Sequence, residues 1–165
     1  MTKIADGMGE GPTRYIIQRM REIDRREIYA TREDDDEERL LFDMMYLVDK
    51  PGLAFTAFAR NGEPVSVFGF HRMRQGVGAV FAFGTDRWNE VVLSMTKTVR
   101  RVIVPTLIAE GYHRAECAAL TDRADTAKWL PSLGMKIEAV LAGFGSQRED
   151  FSLYVWRPEN VRRRQ

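Results

Sequence analysis

The sequence predicts an α/β protein, in detail an α+β one: a mixed sheet of about seven strands with helices on both faces. Three observations carry that expectation. An apolar meander broken by tight turns runs from Leu53 to Gly84. The longest helical periodicity, Trp88 to Glu110, follows at once. Strand-like and helix-like segments then alternate to the end. The order reads β–α–α–β–β–β–α–β–α–β–β.

Residues 1–13 carry Gly7, Gly9, Gly11 and Pro12 and read as a flexible arm. Tyr15–Met20 fits a first strand. Ile23, Glu27 and Ile28 fall at helical spacing in Glu22–Ala30. The acids Glu33–Glu38 precede a helical stripe of Leu40, Leu41, Met44, Met45 and Leu47. Carboxylates suit a helix N-terminus, where they cap free N–H groups and meet the positive end of the dipole.

Leu53–Ala59, Pro64–Arg72 and Ala79–Phe83 read as three antiparallel strands, the first pair joined by the hairpin signal Asn61-Gly62. The alternating phenylalanines of this meander suit a sheet core. In the long helix, Val91, Met95, Val99, Ile103 and Leu107 form the apolar stripe, and Pro105 marks a kink or break. Ala115–Leu120 is a strand, Ala124–Leu133 a helix stopped by Gly134, and Lys136–Ala142 and Phe151–Trp156 the last two strands. The chain thus divides into an arm (1–13), one domain (14–157) and a basic tail (158–165) that includes Arg162, Arg163 and Arg164.

Composition narrows the function classes. The 165 residues suit one domain. With 25 basic and 24 acidic residues the net charge is +1, so the total gives no support to general nucleic-acid binding. Nucleic acid would have to engage the basic tail alone. One cysteine, Cys117, and two histidines, His71 and His113, supply neither an internal disulfide nor a Cys/His metal cluster. No stretch approaches the ~20 apolar residues of a membrane span. A soluble protein, cytoplasmic where it is made, is expected.

The element order, with the passage Trp129-Leu130-Pro131-Ser132-Leu133-Gly134-Met135-Lys136 after strand 115–120, resembles the GNAT superfamily of N-acetyltransferases. The resemblance covers roughly residues 14–157. It implies a coenzyme A site between the last meander strand and the long helix. Family members hold the diphosphate there on a glycine-rich loop at a helix N-terminus. This chain has Gly84-Thr85-Asp86-Arg87-Trp88-Asn89-Glu90 instead, with one glycine, two acids and a bulky tryptophan. If coenzyme A binds, Phe81, Ala82, Phe83, Gly84, Thr85 and Arg87 are the residues that would meet it. The family's tyrosine acid is replaced by Leu130, and His71 is the candidate base.

A narrower resemblance is to the small GNAT-like internal virion proteins of short-tailed phages. It rests on Trp88, the basic residues Lys97, Arg100 and Arg101, and the Trp129-Leu130…Gly134 passage. It implies a non-catalytic virion or morphogenesis protein without a cofactor. Lys97, Arg100, Arg101 and Arg162–Arg164 would then meet other virion or assembly proteins, or a second copy of the chain. The alternative is an acetyl-CoA-dependent N-acetyltransferase with a degenerate diphosphate loop. A third option is an acyl-CoA or peptide sensor that binds without turnover.

Overall fold

A computed structural model describes residues 2–48 and 52–162. Its single seven-stranded sheet has the order β1-β2-β3-β4-β5-β7-β6. The strands are β1 (Lys3–Asp6), β2 (Gly52–Phe58), β3 (Pro64–Arg74), β4 (Val77–Gly84), β5 (Arg114–Leu120), β6 (Lys136–Leu141) and β7 (Phe151–Trp156). All neighbours are antiparallel except β4 and β5, which run parallel. The expected mixed sheet with helices on both faces is the one observed.

The N-terminal segment departs from expectation. The 1–13 arm is instead edge strand β1, paired with β2 from Lys3↔Phe58 to Asp6↔Phe55, followed by the first turn of helix α1 (Glu10–Gln18). The Tyr15–Met20 strand is the rest of that helix and its exit. The buried positions Thr13, Ile16, Ile17 and Met20 show why: their spacing is i, i+3, i+4, i+7, a helical face. Pro12 is tolerated because it lies in the first turn, where a missing N–H removes no internal bond. Met20 keeps one strand-like bridge, to Thr85.

Helices α2 (Glu22–Ala30) and α3 (Glu37–Val48) follow. Of the acidic run, Asp36 is the cap: its Oδ1 accepts the N–H groups of Glu38 at 2.8 Å and Arg39 at 3.2 Å. The expected long helix is subdivided. After a 3-10 turn at Trp88–Glu90 come α4 (Val92–Thr98), a π-helical turn (Val99–Ile103) and α5 (Val104–Ala109). The Val104 N–H reaches back to the Val99 carbonyl, five residues earlier. Pro105, lacking an N–H, follows at once, so the wide turn sits where the regular ladder is interrupted. Helix α6 (Ala124–Ser132) packs beside this assembly, and Gly134, with φ +90°, ends it. A short helix α7 (Glu159–Arg162) closes the described chain.

Two cores flank the sheet. One packs Phe68, Phe70, Met95, Ile103, Leu107 and Leu130 under α4–α6. The other packs Ile16, Ile17, Leu40, Met44, Val67 and Phe83 under α1 and α3. The meander's phenylalanines divide between these faces as strand alternation requires. Among the described residues no helix is long and apolar enough to cross a membrane.

Candidate functional site

Strands β4 and β5 pair only at their first residues: Val77↔Arg114, Gly78↔Ala115 and Ala79↔Glu116. Beyond Ala79 they part. On that side the β4 backbone from Val80 onward has no strand partner among the described residues, while β3 continues to pair with its other edge up to Gly84. A cavity of about 390 Å³ fills the gap. Its walls are mostly apolar, with Val80 and Phe81 from β4, Val99 and Ile103 from the π-helical turn, and Leu130 from α6. The wide turn thus sets two side chains against the opening, a placement π-turns often have at functional sites.

A tryptophan pair and a polar cluster bound the cavity. Trp88 and Trp129 meet edge to face with centroids 5.4 Å apart. The Trp129 Nε1–H donates to Thr96 Oγ1 at 2.9 Å, tying α6 to α4. Arg21 lies over the Trp88 ring, 4.3 Å from its centroid.

Behind them stands an ion-pair network that α2 brings to the strand ends. Helix α2 turns Asp24 fully inward, at 1% exposure. Asp24 accepts from Arg21 at 2.9 and 2.8 Å and lies 3.0 Å from Arg123 Nη2. Its Oδ2 also accepts the Gly84 backbone N–H at 2.9 Å. One turn later, Glu27 accepts the Leu120 N–H at the end of β5 and a bond from Arg123, both at 2.9 Å. Asp125 completes the cluster against Arg123 at 2.8 Å. So α2 caps both parted strands with carboxylates, and Arg123 joins them.

The titrating groups that line the cavity differ. Burial raises Glu27 above the ordinary carboxylate range, against the pull of Arg123 and the Leu120 N–H. Burial also works on Asp125, but the hydrogen bond and charge of Arg123 hold it below that range. Burial, with Glu27 and Glu116 adding to it, pushes the Cys117 thiol up to about 12, so it stays protonated. Trp156 also lines the cavity; its Nε1–H is buried and has no hydrogen-bond partner among the described residues.

The structure gathers some of the expected residues and separates others. Phe81, Ala82 and Phe83 line the cavity. Gly84 and Thr85 close the end of β4, with their N–H groups committed to Asp24 and to the Val65 carbonyl. Arg87 turns to Glu63 of the β2–β3 hairpin and is held there and by Glu90 of the adjoining 3-10 turn. His71 stands on β3 beside Phe81, with ring centroids 6.5 Å apart, and does not border the cavity. Lys97, Arg100 and Arg101 are exposed on α4 and the π-turn. Arg100 donates to the Ser132 carbonyl at 2.7 Å. Arg162 ends α7, and Arg163 and Arg164 lie outside the described residues. Among the described residues no acidic, histidine or cysteine group forms a metal site.

Sequence reasoning missed Asp24, Glu27 and Arg123. A faint signal exists in α2, whose charged residues leave no continuous apolar stripe.

No protein-family description and no curated protein matches this chain. Solved structures do. A GCN5-related N-acetyltransferase from Kribbella flavida superposes with a TM-score of 0.72 at 10% identity, covering 94% of this chain and 97% of that one. A ribosomal-protein alanine N-acetyltransferase from Escherichia coli gives 0.68 at 13% identity, with 95% and 94% covered. A spermidine N-acetyltransferase from Vibrio cholerae, as a point mutant, gives 0.69 at 8% identity, with 99% of each covered. The fold is that of the GNAT N-acetyltransferases. The narrower resemblance to phage virion proteins is not shown by these likenesses.

Proposed function

We propose that this protein is an N-acyltransferase that takes an acyl thioester into the gap between β4 and β5. The observation that carries the reading is the parting of these strands after Ala79↔Glu116 onto an apolar cavity of about 390 Å³. That volume lies within the range of small-molecule sites, and the unpaired β4 edge offers backbone groups to an amide-bearing arm. In the reaction the amine nitrogen bonds to the thioester carbonyl carbon and the carbon–sulfur bond breaks. The proton lost from the amine ends on the departing sulfur. Holding the two reactants together supplies much of the barrier reduction. Glu27, lining the cavity with a raised carboxyl, is the group best matched to take up a proton there. His71 remains the alternative base if the amine approaches past Phe81.

Coenzyme A is the donor the fold implies, and it fits in part. Its pantetheine arm suits the gap. Its diphosphate does not suit the end of β4, where the Gly84 N–H is already bonded and Arg87 is held by two glutamates.

Two observations favour a second reading, a GNAT-shaped scaffold without turnover in a virion or other assembly. The Asp24–Gly84 bond blocks the cradle, and Leu130 stands where family members carry a tyrosine acid. Calorimetric titration with acetyl-CoA and acetyl-pantetheine, followed by thiol release in the presence of primary amines, separates the two. Binding with amine-dependent thiol release supports the acyltransferase. Absence of both up to millimolar ligand supports the scaffold.

A further inference from the structure

The acyltransferase reading leaves the carrier of the acyl group open, and the polar cluster narrows it. Two guanidinium groups and a backbone N–H at a strand end make an anion pocket. Arg21, Arg123 and the Gly84 N–H are such a set, and Asp24 fills it from within, at 1% exposure. Asp125 pairs with both arginines, and Glu27 pairs with Arg123. Three carboxylates therefore face two cations. A diphosphate arriving here finds the donors already engaged by carboxylates.

The Trp88–Trp129 contact and the Trp129–Thr96 bond tie α6 to α4 and to the 84–90 loop at the side of the cavity. Exposed Thr31 and Phe144 line it as well. Inside, the Trp156 Nε1–H is buried without a partner among the described residues, a neutral donor that a carbonyl of the arm would satisfy.

We infer that the site selects an uncharged acyl-pantetheine arm and gains nothing from a diphosphate, whose place Asp24 already occupies. The inference rests on the acyl-thioester reading above and deepens it. The donor class is a thioester on a pantetheine-type arm, with any phosphate of its carrier left outside the protein.

The test compares calorimetric dissociation constants of the full chain for acetyl-pantetheine and acetyl-CoA under reducing conditions. The expected result is binding of both, with constants within about fivefold of each other. Acetyl-CoA tighter by more than about fivefold overturns the inference while leaving the acyltransferase reading intact. Binding of neither overturns both. Asp24→Ala supplies an independent arm. It vacates the anion place, so a folded variant is expected to favour acetyl-CoA by about tenfold or more. A folded variant that still shows no preference removes Asp24 as the cause. Should Asp24→Ala not fold, the wild-type comparison decides alone.

Discussion

The carboxylate of Asp24 accepts the backbone N–H of Gly84 at 2.9 Å across 60 residues of sequence, joining α2 to the end of β4. This bond is one of several on a fully buried side chain that also pairs with Arg21 and Arg123. Removing one partner of such a cluster leaves the others desolvated and unpaired. Asp24→Ala is therefore expected to cost about 3–5 kcal/mol in urea denaturation. Asp24→Asn, which can still accept the Gly84 N–H, should cost less. Equal losses for the two variants would mean that the charge, which both remove, and not the bond to Gly84, is the stabilising feature.

Trp156 presents the opposite case. Its indole N–H is buried without a partner among the described residues, so its polarity adds nothing to the folded state. Trp156→Phe removes that donor and keeps most of the ring. Stability should fall by no more than the smaller ring's lost packing. Acetyl-pantetheine binding should weaken by about fivefold, the value of one hydrogen bond. A large loss of stability with unchanged binding would mean that the N–H serves the fold and not a ligand.

Much of the fold was legible in the sequence because its signals are local. Asn61-Gly62 marks the β2–β3 turn, and the stripe from Val91 to Leu107 marks the helices that cover one core. The misread segment fails for a physical reason. Tyr15-Ile16-Ile17 is β-branched and apolar, and over so short a run it scores as a strand. Its helical face becomes visible only when Thr13 and Met20 are counted with Ile16 and Ile17. Glycines 7, 9 and 11 hide β1, whose four residues are held by pairing with β2 rather than by propensity. The site was less legible. The parting of β4 from β5 is a property of pairing, and Asp24 meets Arg123 only in the folded chain.

The helical assignment of residues 10–18 makes a prediction by contrast. Ile17 is 1% exposed in the α1 face, while its neighbour Gln18 is exposed. Ile17→Ala should cost about 2–5 kcal/mol and Gln18→Ala almost nothing. Ile16→Ala should match Ile17→Ala, because consecutive residues share a buried face in a helix but not in a half-buried strand. Thermal unfolding of the three variants reads this directly, and a cheap Ile16→Ala beside a costly Ile17→Ala would restore the strand.

Gly69 lies at the centre of β3, paired with Ala54 and Phe81, and borders the cavity. A Cβ there would press on the Leu53 carbonyl and lie 2.8 Å from the Ala54 Cα. Both are backbone atoms of the adjacent strand, so neither can turn aside. Gly69→Ala is expected to destabilise by about 1–3 kcal/mol and to shift β2 against β3. A melting temperature equal to the wild type's would show that the two strands have slack at this point.

Glu27 yields a pH dependence whose sign separates burial from ion pairing. Burial is the larger influence and raises its carboxyl above the ordinary value of 4.5, despite Arg123. A carboxyl raised in this way holds its proton more tightly in the folded state than in the unfolded one. Between 4.5 and its raised value the folded state keeps a proton that the unfolded state has lost. Stability from this group is therefore full below the lower bound and declines as pH rises through the window, by at most about 1.4 kcal/mol per pH unit. Glu27→Gln cannot titrate, yet its amide oxygen can still accept the Leu120 N–H. The difference in unfolding free energy, wild type minus variant, should decrease with rising pH across that window and be flat below it. If the pair with Arg123 dominates instead, the folded carboxyl is lowered and the difference grows as pH rises through the acid range. Urea denaturation at half-unit intervals from pH 3.5 to 8 distinguishes the two slopes, and with them whether Glu27 can hold a proton beside the cavity.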